Sequence, residues 1–313
     1  MNTPKVSVVI ATHNRSALLR KAIASLQAQT MPDWEAIVVP DACTDDTSSA
    51  LDELMAQDPR IRRVVTQGHL GPGASRNCGI DAARGAYIAI LDDDDQCLPH
   101  RLEVQCALLD SRSEVGMCFS TVEWCDADGN VLWVSPGMVA RGEAPDAPDQ
   151  VFRFLYTEWN YIRHPTVMVR SEIAHSLPYP ARPWVGEDLI WCLTMAATDV
   201  RMQAIREPLV KMNRDPERSG LMREYELVLR SQREIIRYMR EWLRRRSIRR
   251  FDHLHRAAWA NVLAREARAR SGFRGLLLCS AAIVVRPTPF VRETLWWGAA
   301  RLMGKVRRWT GGR

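Results

Sequence analysis

The chain has 313 residues, 46% hydrophobic and 26% charged, with ordinary numbers of Gly and Pro, which excludes a repeat or low-complexity architecture and allows a full core plus a smaller second unit. The formal charge of +6 conceals a split: residues 221–313 carry 22 Lys+Arg against 7 Asp+Glu, a balance of +15, which leaves residues 1–220 at −9. An acidic body joined to a basic appendage points to an anionic surface as the appendage's partner.

Along the chain, Val6–Ala11 is too short an apolar run for a signal peptide and reads as a first strand. Ala17–Gln29 follows as a helix with Leu18, Leu19, Ala22, Ile23 and Leu26 on one face. Trp34–Val39 is a second strand, and Thr47 is expected to cap a helix bearing Leu51, Leu54 and Met55, with Asp45 also read as a cap there. A third strand over Ile61–Thr66, a helix over Gly73–Arg84 and a fourth strand over Ala86–Leu91 complete an alternation. Such alternation predicts an α/β fold, a mostly parallel Rossmann-like sheet flanked by helices.

After Pro99 the spacing predicts a helix to Arg112, a strand over Gly116–Trp124, and a hairpin turn at Asp126–Asn130 into Val131–Ser135. Arg141–Gln150 reads as a Pro- and Asp-rich loop, Thr166–Val169 as a strand and Glu187–Thr198 as a helix. From Leu221 the chain is nearly all helical and arginine-rich. Its longest uncharged apolar stretch, Gly275–Val285, is eleven residues and cannot span a bilayer.

Ligands of such sheets bind outside the carboxyl ends of the strands. Three polar clusters fall there: Thr12-His13-Asn14-Arg15, Asp41 to Thr47, and Asp92-Asp93-Asp94-Asp95. Four adjacent carboxylates leaving a buried strand repel one another unless a cation offsets them, and Mg²⁺ favours one or two carboxylates completed by phosphate oxygens. The run therefore points to metal-assisted chemistry on a phosphorylated ligand. No GxGxxG follows the first strand, which argues against a nicotinamide-dependent enzyme. A nucleotidyltransferase would place a Gly- and Lys-containing phosphate loop there, and none is present. The eight cysteines show no CxxC spacing and read as free thiols of a reducing cytosol, without zinc or disulfides.

Five ordered motifs over residues 5–215 resemble inverting glycosyltransferases of the GT-A fold, family 2: Val6 to Arg15, Asp41 to Thr47, Gly73 to Gly79, Leu91 to Asp95, and Gly186-Glu187-Asp188. The resemblance implies a GT-A catalytic domain over 1–220, with 1–98 the nucleotide-binding half and 99–220 the acceptor half. Asp92-Asp93-Asp94 looks like the family's DxD signature. Asp94, with Asp92, would hold Mg²⁺ or Mn²⁺ on the donor diphosphate, and Asp92 and Asp93 would also meet the ribose or metal-bound water. Asp41 would accept the N3–H of a uracil, implying a UDP-sugar, although Pro40 and Ala42-Cys43 depart from the family pattern. Arg76, Arg15 and Thr12 would line the donor pocket, an ordinary ion pair being the alternative for either arginine, and Arg214 would sit in a basic loop over the diphosphate.

By the same resemblance Asp188, with Glu187 beside it, is the general base that deprotonates the acceptor hydroxyl; acids in a helix's first turn are also favoured by the helix dipole alone. Trp184 is a candidate for stacking on a sugar, Trp191 reads as core and His164 as structural. The acceptor class implied is a surface glycan or lipid-linked glycan. A non-catalytic sugar-nucleotide-binding scaffold of the same fold is the competing reading.

The arginines of 244–250 are too dense to pack in a core. Within 288–309, Val291, Leu295, Ala299, Leu302, Val306 and Trp309 recur at helical spacing among Arg292, Arg301, Lys305, Arg307 and Arg308, with Trp296-Trp297 nearby. A basic amphipathic helix carrying Trp reads as lying in a membrane interface, on the inner face of the cell membrane, with packing on the body or homodimerisation as alternatives. No nucleic-acid-binding module is recognisable.

Overall fold

The structure is a computed structural model that describes residues 3–126, 128–135, 138–158, 160–183, 185–213 and 225–269, the side chains of 225–229 and 267–269 excepted. Ala127 of the predicted hairpin turn, Trp184, Arg214, Cys279 and residues 288–309 lie outside it. The elements in chain order are β1 (Val6–Thr12), α1 (Ser16–Gln27), β2 (Trp34–Pro40), α2 (Thr47–Gln57), β3 (Ile61–Arg63), α3 (Pro72–Asp81), β4 (Tyr87–Ile90), β5 (Gln96–Cys97) and α4 (Arg101–Ser111). They continue with β6 (Val115–Cys125), β7 (Val131–Val134), α5 (Met138–Arg141), α6 (Pro148–Thr157), a 3-10 turn (His164–Thr166), β8 (Met168–Arg170), α7 (Ser171–Ser176), α8 (Glu187–Ala197) and β9 (Arg201–Asn213). Helices α9 (Tyr225–Arg245) and α10 (His255–Ala269) follow, with a short 3-10 turn, Asp252–Leu254, between them.

Among the described residues, nine strands form one sheet in the order β3-β2-β1-β4-β8-β6-β9-β5, with β7 paired to β6. The first four strands are parallel throughout. Val6, Val8, Val9 and Ile10 of β1, and Ile37, Val38 and Val39 of β2, have no accessible surface. Such continuous apolar runs are what a sheet covered on both faces requires. The amphipathic stripe of α1 buries Leu19, Ala22, Ile23 and Leu26 against that sheet's core. Helix α3 comes close because Gly79 leaves no Cβ to strike Val9 Cγ1, which would lie 2.5 Å away.

The second half of the sheet is mixed. Strand β8 runs antiparallel to β4 and to β6, β9 is parallel to β6, and β5 is antiparallel to β9. Strand β9 escapes the periodicity because a bulge sets two extra residues, Arg206 and Glu207, against β6 between the Ile205 and Pro208 pairings. Pro208 cannot donate to a ladder, and the bulge accommodates it while breaking the alternation a strand would show.

Other boundaries differ from expectation. Thr47 is the first helical residue and not the cap; the Asp45 carboxylate accepts its N–H at 3.0 Å. The segment read as loop over Arg141–Gln150 contains the start of α6, where Pro148 sits in the first turn, a position that tolerates proline because its missing N–H would be unpartnered anyway. The third strand ends at Arg63, and the strand read over Thr166–Val169 is a 3-10 turn followed by β8.

The contacts divide the chain into two units: Met1–Val151 with Asn160–Gly220, and Phe152–Trp159 with the chain from Leu221. In the second unit Phe152 stacks on Phe251 at 3.9 Å and the Tyr156 hydroxyl meets His255 Nδ1 at 2.6 Å. Arg244, Arg245, Arg246, Arg249 and Arg250 are exposed. No helix among the described residues is long and apolar enough to cross a membrane. The seven described cysteines are free thiols.

Candidate active site

Strands β2, β1 and β4 are parallel neighbours, so the polar clusters that follow them meet at the carboxyl ends of the strands. The loop after β1 turns at Asn14, whose backbone is left-handed at φ 54°. Its Oδ1 accepts the N–H groups of Thr44 at 2.7 Å and Asp45 at 3.3 Å, tying the first cluster to the second. Asp41 is buried, and its carboxylate accepts the backbone N–H of Leu70 at 2.7 Å and of Gly71 at 2.8 Å, with His69 Nδ1 at 3.2 Å. Asp41 thus fixes the turn that launches α3. A carboxylate offers about four lone-pair sites, which leaves capacity for a further donor.

The four acids alternate in environment. Asp93 and Asp95 are 4% exposed, whereas the Asp92 and Asp94 side chains retain 30% and 24%. Arg15 Nη1 reaches Asp93 at 2.9 Å and Asp94 at 3.3 Å. One carboxylate oxygen each from Asp92, Asp94 and Asp95 lies within 4.8 Å of the others. Three hard oxygen donors converging next to partly open acids fit Mg²⁺ or Mn²⁺, which prefer such ligands and keep positions for phosphate or water. Asp95 is the member that the sequence pattern did not assign. Burial and the neighbouring Asp92 raise its pKa well above the usual carboxylate range, and the Asn213 N–H approaches it at 3.4 Å. The run itself carries the signal, four adjacent acids of which the signature covers three.

Arg76 ties this cluster to the motif at the start of α8. Its Nη2 donates to Asp92 and its Nη1 to Glu187, both at 2.8 Å, and the guanidinium is almost completely buried. Burial would lower the Arg76 pKa, but the two carboxylates carry it above the ordinary value. Burial would raise Asp92, and Arg76 brings it below the usual range instead. Glu187 is pushed by burial up to about 7 against the pull of Arg76. Asp188 is also raised by burial, and it keeps part of its surface accessible.

Close approach here depends on Gly73, where a Cβ would stand 2.6 Å from the Pro180 carbonyl and 3.2 Å from Glu187 Cγ. Asn77 then holds the facing segment through both sides of its amide, accepting the Tyr179 N–H and donating to the Tyr179 carbonyl at 2.9 Å each. Tyr179 stacks on Trp191 at 4.2 Å, lies under Arg76 at 5.7 Å, and its hydroxyl meets His164 Nε2 at 2.9 Å. Burial lowers the His164 pKa to about 3, so the imidazole is neutral. Trp191 is core, as its spacing predicts.

Thr12, Arg15, Asp41, Arg76 and the aspartate run are therefore gathered at one rim with Glu187-Asp188. Arg15 and Arg76 meet carboxylates in this structure. The rim carries more carboxylates than arginines, so a divalent cation at the acid cluster would be needed before it could receive a polyanion.

The sequence model of glycosyl transferase family 2 matches residues 7–173. An uncharacterized glycosyltransferase of Methanocaldococcus jannaschii is 33% identical over 222 residues, 69% of this chain and 73% of that protein. The GalNAc(5)-diNAcBac-PP-undecaprenol beta-1,3-glucosyltransferase of Campylobacter jejuni is 44% identical over 96 residues, 30% of this chain and 31% of that enzyme. Among solved structures, S. aureus TarS 1-349 in complex with UDP-GlcNAc superposes with a TM-score of 0.59 at 16% identity, covering 96% of this chain and 92% of that one. The Pyrobaculum calidifontis mannosyltransferase in complex with GDP-Man and Mn2+ gives a TM-score of 0.53 at 18% identity, covering 100% and 89%. These two likenesses establish the fold, mixed α/β of the GT-A type. With a family match across more than half of its length, the chain belongs to glycosyl transferase family 2 and is a glycosyltransferase.

Proposed function

We propose that the chain is a divalent-metal-dependent, inverting glycosyltransferase that moves a sugar from a nucleotide donor, a UDP-sugar, to a hydroxyl of a surface-glycan or lipid-linked acceptor. The observation that carries this reading is Arg76, a single guanidinium that binds Asp92 and Glu187 at 2.8 Å each and so brings the acid cluster next to the candidate base. Asp92, Asp94 and Asp95 would hold the cation, which when bound supplies positive charge to the departing diphosphate. Asp41 accepts the N3–H of the base with its remaining lone pairs, while Thr12, Arg15 and Asp93 line the same rim. Asp188 takes the proton of the acceptor hydroxyl, its raised pKa making it a stronger base than an exposed aspartate. Attack from the face opposite the diphosphate inverts the anomeric centre and needs no covalent intermediate.

The Campylobacter relative's undecaprenol-linked substrate, together with the exposed arginines of 244–250, supports an acceptor held at an anionic membrane surface. Nucleotide release tests the reaction class. The full chain with Mn²⁺, UDP-glucose, UDP-GlcNAc or GDP-mannose, and a pool of oligosaccharide and prenyl-diphosphate acceptors is expected to release UDP from one donor and to stop when EDTA is added. Turnover that persists in EDTA would contradict the metal dependence, and no release from any donor would favour the non-catalytic scaffold.

A further inference from the structure

Arg163 has no part in the chemistry above, yet its environment is unusual for an arginine. It is half-buried, and among the described residues no carboxylate pairs with it; burial holds its guanidinium below the usual arginine value. Removing a cation from water without a counter-charge is costly, so such a group marks a place where an anion is expected. The guanidinium instead faces the ring of Trp124, 5.6 Å from its centroid. Trp124 in turn stacks with Trp133 across the β6–β7 hairpin, at 6.0 Å and 27°. The three groups form a layered platform, and its outer strand exposes an unbroken apolar row: Val131 48%, Leu132 49%, Trp133 36% and Val134 45%.

Two chains of contact link the platform to the candidate site. Arg163 immediately precedes His164, whose Nε2 is bonded to Tyr179 beneath Arg76. Trp124 pairs with Met212 on β9, and the next residue, Asn213, gives its N–H to Asp95. Its strand, β6, lies two places beyond β4 in the sheet, on the side away from β1 and β2, whose loops carry the candidate base-reading residues. The platform therefore lies within residues 99–220, the half that the resemblance assigns to the acceptor. Two acids lie close to it in sequence, and one, Asp126, is engaged by its own turn, accepting the N–H groups of Asp128 at 3.1 Å and Asn130 at 2.9 Å. Glu123 projects to the opposite face of the strand from Trp124, since successive strand side chains alternate.

We propose that Arg163, Trp124 and Trp133 form an acceptor subsite for an anionic glycan, the aromatic pair lying under the C–H face of a sugar ring while the guanidinium pairs with a phosphate or carboxylate of the same acceptor. Guanidinium is the side chain suited to bidentate pairing with either group, and an aromatic neighbour adds cation–π support that lysine supplies less well. This assignment rests on the glycosyl-transfer reading.

Calorimetry on the full chain, saturated with UDP and Mn²⁺, tests it with three probes: a short prenyl-diphosphate-linked N-acetylglucosamine, a glucuronate-terminated trisaccharide and its glucose-terminated counterpart. One of the two anionic probes is expected to bind roughly tenfold or more tighter than the neutral one, and which one identifies phosphate or carboxylate as the ligand. Arg163→Gln should erase that preference, and Arg163→Lys should restore only part of it, with UDP affinity unchanged in both. Should the variants fail to fold, the preference measured on the unaltered chain should still shrink as NaCl is raised. Equal binding of all three probes, or a preference that survives Arg163→Gln, would overturn the subsite. So would Arg163-dependent sedimentation with phosphatidylglycerol vesicles in place of any glycan binding. Failure of UDP itself to bind would overturn the donor reading, while the comparison of probes still decides the subsite.

Discussion

Asp188→Asn is expected to lower kcat about 10²–10⁴-fold, the range lost when a general base is removed, while UDP affinity in the presence of Mn²⁺ stays within about twofold of the original. The substitution keeps the shape of the side chain in the first turn of α8 and removes only its ability to take a proton. The pH profile gives a second reading. Burial raises the Asp188 pKa, and only the ionised carboxylate is a base, so activity falls as pH drops through a value above the ordinary aspartate range. The Asn variant should lack that acid limb. A carboxyl whose folded pKa is raised makes the folded state less stable at pH values above it, where the unfolded chain ionises freely. Thermal unfolding at pH 8 should therefore find the Asn variant no less stable than the original, which separates loss of catalysis from loss of fold. An Asp188→Asn chain with full turnover would remove Asp188 from the mechanism.

Arg76→Ala is expected to cost about 3–5 kcal/mol of stability, the range for deleting one partner of a buried ion pair. For a chain of this size that is a fall in thermal midpoint of about 6–20 °C. The cost arises because Asp92 and Glu187 both lose the guanidinium that each now touches at 2.8 Å. Glu187→Gln in the Arg76→Ala background should recover part of the loss by removing one of the stranded charges, so the two changes will not add. A loss of only about 0.5 kcal/mol, typical of a surface site, would contradict the bridging role.

The parallel half of the fold was legible because its signals are local. The apolar run of β1, the stripe of α1 and the glycines that let α3 approach the sheet can each be read within a dozen residues. The second half was less legible because its order depends on pairings that sequence does not display. Strand β9 contains Arg201, Arg206, Glu207 and Pro208, and only its parallel register with β6 makes it a strand. Helix α6 was hidden behind Pro148 and Asp149, residues equally at home in a loop.

The candidate site followed the same division. The aspartate run and Glu187-Asp188 stood out as motifs, and the strand order could be expected to bring the first three polar clusters together. The Arg76–Glu187 contact joins residues 111 positions apart, so nothing local announced it. Asp95 stands outside the three-residue signature, and only the folded run sets its oxygen beside those of Asp92 and Asp94. His164 read as structural from its type alone, and its bond to Tyr179 agrees with a positioning role.

In the proposed reaction a divalent cation at the rim of the sheet couples the nucleotide to Asp94 and its neighbours. Calorimetric titration of UDP into the unaltered chain and into Asp94→Ala, each with and without Mn²⁺, decides whether it does. Mn²⁺ is expected to tighten UDP binding to the unaltered chain about tenfold or more, and Asp94→Ala to abolish this dependence. Equal UDP affinity with and without Mn²⁺ in the unaltered chain, or an undiminished Mn²⁺ effect in Asp94→Ala, would contradict it.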